Sequence, residues 1–242
     1  MNIKVMKFGG TSLRNEKTRK HVYRHILKNI VNHKVVVVVS AMGRYPDTYA
    51  TDTLLSLGSE YLSKEERARL VSMGEQISAL KVCSELLELG IRAFALPFFS
   101  CGILTDENYE YAKVLKLDNK EIKHKLQEYD VIVVSGFIGI SYHGNVTTLG
   151  RGGSDYSAAL FADMLDLKEV EIYTDVDGVY NVDPKLEDCA IKYDVLSYDE
   201  MLNMKSRVLH DRCVNYAKEH QIKIYLKGTF SNGEGTLIQN QN

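Results

Sequence analysis

The chain has 242 residues, 45% of them hydrophobic and 26% charged, with a net charge of −2. That balance is ordinary for a soluble globular protein, leaves enough length to bury one sizeable core, and carries no basic field that would point to nucleic acid. The opening MNIKVMKF holds no signal-peptide run and the longest apolar stretch, Val35 to Val39, is far too short to span a bilayer, so a cytoplasmic protein without membrane contact is expected.

Taken in chain order, Ile3–Phe8 reads as a first strand, followed by a helix near 13–32. On that helix Lys17, Arg19, Lys20, His21, Arg24 and Lys28 form a solvated face opposite Val22, Ile26, Leu27, Ile30 and Val31. Lys34–Val39 is the next strand, then a long helix at 66–89 and a short strand at 92–96. Helices at 107–116 and 119–128 precede a strand at 131–134, and His143-Gly144-Asn145 reads as the turn of a hairpin at 142–146. A helix at 155–166, a strand at 170–173, helices at 198–204 and 211–220 and a strand at 222–226 complete the pattern. Several strands are apolar throughout, as expected when both faces are covered. Strand–helix alternation of this kind predicts an α/β protein with a largely parallel sheet between helical layers.

Ligands of open parallel sheets gather at the carboxyl ends of the strands. Here those ends carry Lys7-Phe8-Gly9-Gly10-Thr11-Ser12, Ser40-Ala41-Met42-Gly43, Ser135-Gly136-Phe137-Ile138-Gly139 and Thr174-Asp175-Val176-Asp177-Gly178. Gly9-Gly10 could be a plain tight turn, yet in this company it reads as a phosphate approach with no Cβ in the way, next to the charge of Lys7. Neither GxxxxGK[ST] nor GxGxxG is present. Within Leu149-Gly150-Arg151-Gly152-Gly153-Ser154-Asp155, Ser154 suits an N-cap and Asp155 a first helical turn. Capping does not explain Arg151, whose guanidinium can grip a carboxylate. Asp175-x-Asp177-Gly178 lacks the rest of a calcium loop. Asp177-Gly178 reads as a turn, while Asp175, Tyr180 and Asp183-Pro184 are nucleotide candidates. Glu75 can be read either as a surface charge or as an inward-facing acid. Four dispersed cysteines and seven histidines show no metal-ligand spacing, so no protein-held metal site is expected.

These residues, read jointly, resemble the aspartokinases. Lys7 to Ser12 is similar to that family's KFGGTS opening; Ser40 to Gly43 and Ala50-Thr51-Asp52-Thr53-Leu54-Leu55 resemble its second motif. Gly74-Glu75-Gln76-Ile77-Ser78 resembles GEQ(I/V)S, Thr148 to Asp155 matches TLGRGGSD, and Thr174 to Tyr180 matches the TDVxGVY segment ahead of a DP pair. The resemblance runs from residue 3 to Leu237 and implies a three-layer αβα sandwich of the amino-acid kinase (carbamate kinase-like) fold. It further implies transfer of the γ-phosphoryl group of ATP to the side-chain carboxylate of L-aspartate, toward lysine, threonine and methionine, with Mg2+ held mainly through the ATP phosphates. Carried over, Lys7, Gly9, Gly10 and Ser40 contact phosphates and Asp155 orients Lys7. Thr51, Asp52, Thr53, Glu75, Arg151, Gly152, Gly153 and Ser154 hold aspartate, Glu75 facing its ammonium group and Arg151 a carboxylate. Thr174, Asp175, Tyr180, Asp183 and Lys185 surround the nucleotide. A homodimer is expected.

Two departures stand out. Aspartokinases commonly continue into regulatory ACT domains, whereas this sequence closes soon after Gly235-Thr236-Leu237-Ile238. The expectation is a single kinase domain over 1–242, with an acceptor-binding lobe at 1–130, a nucleotide-binding lobe at 131–242 and no ACT domain; a separate ACT-domain partner stays open. Second, the segment Glu200 to Leu209 is shorter than in the family and offers Arg207, or alternatively Lys205, for a phosphate-contacting lysine. That alteration keeps two further readings open: a kinase for a different small amino acid, or a non-catalytic regulatory subunit.

Overall fold

The computed structural model describes residues 2–182, 189–204 and 208–240. In chain order its elements begin with β1 (Ile3–Phe8), α1 (Gly10–Leu13), α2 (Glu16–Ile30), β2 (Lys34–Val39), α3 (Thr51–Ser56), α4 (Lys64–Glu88) and β3 (Ala93–Ala95). There follow β4 (Ile103–Thr105), β5 (Val114–Leu117), α5 (Lys120–Glu128), β6 (Val131–Ser135), β7 (Ile138–Ser141), β8 (Val146–Thr148), α6 (Gly153–Met164) and β9 (Glu169–Thr174). The last are β10 (Val179–Tyr180), β11 (Lys192–Tyr193), β12 (Val195–Ser197), α7 (Tyr198–Asn203), α8 (Asp211–His220), β13 (Lys223–Gly228) and β14 (Thr236–Gln239).

Eight strands form one sheet in the order β12-β14-β13-β9-β1-β2-β6-β3. All its neighbours run parallel except β13 and β14. The run of valines in β2 is explained by its central place. Val35, Val37 and Val39 enter one core with Met6, Phe8, Leu13, Val22, Ile26, Val82 and Leu86. Val36 and Val38 enter the opposite core with Ile122, Leu126, Leu160, Phe161, Met201 and Val214. Period-two geometry therefore sends successive valines to two apolar layers rather than to core and solvent. Helices α2 and α4 cover the first face and α5 to α8 the second, giving the αβα sandwich expected from the sequence.

The helices start where the sequence supplies caps. Asn15 with Thr18 opens α2, Ser63 with Glu66 opens α4 and Ser197 with Glu200 opens α7, each as a reciprocal capping box. Arg19 departs from the expected solvated face of α2. It is buried and forks onto Glu85 of α4 through Nε and Nη2 at 2.8 and 2.6 Å, tying the two helices together.

A second, four-stranded sheet, β5-β4-β7-β8, stands beside the main one and contains the expected hairpin at 142–146, with Gly144 at φ 81°. The helix predicted at 107–116 does not form. Asp106 Oδ1 instead accepts from the N–H groups of Asn108 and Lys113, closing a loop. That loop pairs with β8 through Thr148 N–H to Tyr109 O at 2.7 Å and Ala112 N–H to Thr148 O at 2.9 Å, and β5 follows. Local side-chain acceptors and a neighbouring strand thus win over weak helical spacing. Among the described residues no helix is long and apolar enough to cross a membrane.

Candidate active site

Because β1, β2, β6 and β9 are parallel, their carboxyl ends open on one edge of the sheet. At the end of β1, Gly9 caps α1 and its N–H donates to Tyr173 O at 3.2 Å. Gly10 accepts from the Gly43 N–H at 2.8 Å, and a Cβ there would fall 2.5 Å from Gly43 O and 2.7 Å from Ala41 O. Only glycine lets the β1 and β2 turns close on each other in this way. Lys7 is 7% exposed, and its Nζ forms an ion pair with Asp155 Oδ1 at 2.5 Å. The same ammonium lies 3.6 Å from where a Cβ on Gly9 would stand, so it sits over the bare backbone of the turn.

The 149–155 loop is shaped by Gly150 and Gly152, both left-handed at φ 78° and 72°. Gly152, not Ser154, is the N-cap of α6; Ser154 and Asp155 lie inside the first turn. The loop is gripped from α8 by Arg212, which donates from Nη1 to Leu149 O at 2.7 Å and from Nη2 to Ala112 O at 2.6 Å. Its guanidinium lies 4.6 Å from the Tyr111 ring centroid and 4.4 Å from that of Tyr156. Arg151 itself is exposed at the rim.

Between these turns and α4 lies a cavity of about 430 Å3. It is lined by Lys7, Gly10, Ser40, Thr51, Asp52, Glu75, Arg151, Gly152, Gly153, Ser154 and Asp155 from the sequence-derived set, and also by Arg67, Glu110, Phe137 and Thr148. Gly9, in the β1 turn, and Thr53, inside α3, do not line the cavity, and the buried Thr53 hydroxyl has no hydrogen-bond partner among the described residues. Glu75 forms the floor. Gly74 makes this possible, since a Cβ there would meet Tyr49 O at 2.7 Å and Ala41 Cβ at 2.8 Å. Glu75 is 2% exposed; its Oε1 accepts from the Ala41 N–H at 3.1 Å, and Oε2 has no hydrogen-bond partner among the described residues. Burial pushes its carboxyl up to about 8, with the Ala41 N–H pulling the other way.

Of the other nucleotide candidates, Asp175 and Tyr180 line a separate recess of about 270 Å3, together with Val176, Asp177, Gly228, Phe230 and Ser231, and Thr174 lies beside it without lining it. There the Tyr180 hydroxyl donates to Asp177 Oδ1 at 2.6 Å and Thr174 Oγ1 to Asp175 Oδ1 at 3.1 Å. Arg44, after the β2 turn, reaches Asp175 at 3.7 Å, so the two openings adjoin along the sheet edge. Asp183, Lys185, Lys205 and Arg207 lie outside the described residues. Arg67, Glu110 and Arg212 escaped the sequence reading because each resembles an ordinary charge on a helical segment. The predicted 107–116 helix concealed Glu110 in particular.

The cavity can do two things chemically. Its strand-end side offers a cation and bare glycine backbone, which suit a polyphosphate. Its floor offers a desolvated carboxyl with one oxygen open, which suits an ammonium group. Among the described residues no cluster of three or more His, Cys, Asp or Glu could hold a metal ion by itself.

Comparison with known proteins bears on this geometry. The model of the Amino acid kinase family matches residues 2–228. Aspartokinase 1 of Bacillus subtilis (strain 168) is 40% identical over 245 residues, covering 98% of this chain and 61% of that protein. Among solved structures, E. coli aspartokinase III in complex with aspartate and ADP superposes with a TM-score of 0.85 at 25% identity, covering 100% of this chain and 65% of the other. Aspartate kinase from Synechocystis gives a TM-score of 0.85 at 32% identity, covering 99% and 40%. The chain thus spans about three-fifths of the length of curated relatives such as the Bacillus protein.

Proposed function

Since the chain belongs to the amino acid kinase family, in its aspartokinase branch, we propose that it transfers the γ-phosphoryl group of MgATP to the side-chain carboxylate of L-aspartate. The observation that carries this reading is the pairing, in one cavity, of the Lys7–Asp155 edge with the buried, half-satisfied Glu75. A phosphate cleft alone would serve many kinases; a floor acid with an open oxygen calls for an acceptor that brings its own cation. The aspartate and ADP complex of E. coli aspartokinase III supports the same pair of substrates.

On this reading Lys7, Gly9, Gly10 and Ser40 hold the phosphates, and Asp155 fixes the Lys7 ammonium in place. Thr174, Asp175, Tyr180, Asp183, Lys185 and Arg207 serve the rest of the nucleotide. Mg2+, carried by the phosphate oxygens, neutralises charge on the nucleotide when bound. Thr51, Asp52, Thr53 and the 151–154 turn surround the acceptor, with Arg151 at a carboxylate and Glu75 at the ammonium group. The acceptor carboxylate is already ionised at neutral pH, so the chain needs no strong general base. Its task is alignment of the two substrates and electrostatic support of the transferring group. The division into an acceptor lobe at 1–130 and a nucleotide lobe at 131–242 belongs to the same proposal.

The test is ADP release by the purified chain with MgATP, with and without L-aspartate, L-glutamate or L-homoserine. Aspartate-dependent turnover is expected. Turnover only with another acceptor would refute the aspartate assignment, and ATP binding without turnover on any acceptor would favour a regulatory subunit.

A further inference from the structure

Along α4, Arg67, Val71 and Glu75 recur at four-residue steps, so one face of the helix lines the cavity with a cation, an apolar side chain and the floor acid. Arg67 Nε lies 3.2 Å from Glu110 Oε1, with side-chain exposures of 34% and 44%. Nε is shut off from water yet makes no well-aligned hydrogen bond among the described residues, so the pair is a charge contact rather than a locked fork. The backbone beneath Glu110 is fixed: its carbonyl accepts from Thr148 Oγ1 at 3.2 Å, and Tyr109 and Ala112 bond the Thr148 backbone on either side. The two side chains are partly exposed, and a partly exposed ion pair is weakly held and free to exchange.

The charges of the cavity give that freedom a use. Lys7 is engaged by Asp155, and Glu75 awaits a cation. A dicarboxylic amino acid would bring two carboxylates and one ammonium, more negative charge than Arg151 alone can answer. We propose that Arg67 and Glu110 form an exchangeable latch on the acceptor cavity. Arg67 leaves Glu110 for a carboxylate of the incoming acceptor, and Glu110 competes for the same guanidinium, so the pair selects acidic acceptors. A guanidinium fork matches a carboxylate better than the present contact with Glu110 does. The inference rests on the dicarboxylate reading of this cavity.

The test is isothermal titration of L-aspartate, and separately of succinate, into wild type, Arg67→Gln, Glu110→Gln and the double variant, with Km for ATP measured in parallel. Arg67→Gln should weaken L-aspartate binding about tenfold, and Glu110→Gln should tighten it about threefold by removing the competitor. The double variant should follow Arg67→Gln, because Glu110 acts only through Arg67. A merely structural latch would give the opposite sign for Glu110→Gln, and that result overturns the proposal. So does unchanged affinity in Arg67→Gln, or the absence of any carboxylate binding. A wild type that releases no ADP with L-aspartate, while succinate still follows the expected order, would refute the aspartate assignment and leave the latch standing.

Discussion

Replacing Glu75 with glutamine should make the protein more stable in a pH-dependent way while removing acceptor binding. The unfolded carboxyl titrates near its ordinary 4.5, whereas burial holds the folded one at about 8. Between those values the native state keeps a proton that the unfolded chain has released, so stability falls as pH rises. The slope is about 1.4 kcal/mol per pH unit. The effect is absent below pH 4.5, is complete above about 8, and by about pH 7 amounts to roughly 3 kcal/mol. Glutamine keeps an oxygen for the Ala41 N–H and cannot ionise, so its curve lacks this slope. Urea unfolding of both proteins across the window, followed by far-UV circular dichroism, should show wild type losing stability relative to Glu75→Gln as pH rises. Parallel curves would refute the idea that a proton sits on the floor of the cavity. An ammonium group at Oε2 would draw that proton off, so wild-type affinity for L-aspartate should rise with pH toward about 8.

Lys7→Met keeps the aliphatic stem and removes the ammonium; turnover should fall at least about 100-fold with the far-UV spectrum unchanged, and near-wild-type turnover would remove Lys7 from the mechanism. Gly74→Ala puts a Cβ 2.7 Å from Tyr49 O, so despite alanine's better helix propensity the protein should lose about 1–3 kcal/mol in thermal unfolding. Arg212→Ala abandons two carbonyls and a position between two tyrosine rings, a loss of about 3 kcal/mol. A loss under about 1 kcal/mol in denaturant unfolding would mean that the 149–152 loop holds its shape without that grip.

The elements read most accurately from the sequence are those whose residues face a single physical demand. Strands β1 and β2 fall on the predicted bounds; in β2 this is because the unbroken run Val35 to Val39 suits only a strand with an apolar layer on each face. Helix α8 does so because its caps and apolar spacing agree. The small sheet was illegible: β4 and β8 have three residues each, too few to show a period, and their pairing is set by contacts distant in sequence. In the cavity, the glycine turns could be read because bare backbone leaves a sequence trace. The burial of Glu75 could not be decided locally, since it depends on how closely Gly74 lets α4 approach the 41–49 loop. Arg67 and Glu110, distant in sequence, meet only once the 106–113 loop and α4 are in place.

The double burial of β2 has a bearing on how the sheet keeps its alignment. In a strand with one wet face, a one-residue slip exposes oil to water and is forbidden by solvation alone. Sliding β2 by one position would merely exchange Val36 and Val38 for Val35, Val37 and Val39 between two equally dry layers. Something other than hydrophobicity must act as the ruler, and the fixed marks are at the strand's two ends. At one end Lys34 is clamped to Asp130 at 2.8 Å. At the other, the Ser40 N–H bonds Phe8 O at 3.2 Å and the Gly43 N–H bonds Gly10 O at 2.8 Å. The glycines proposed to leave room for a phosphate are thus also the notches by which β1 and β2 are kept in step, and on that proposal a substitution at Gly10 would disturb strand alignment and ligand approach together.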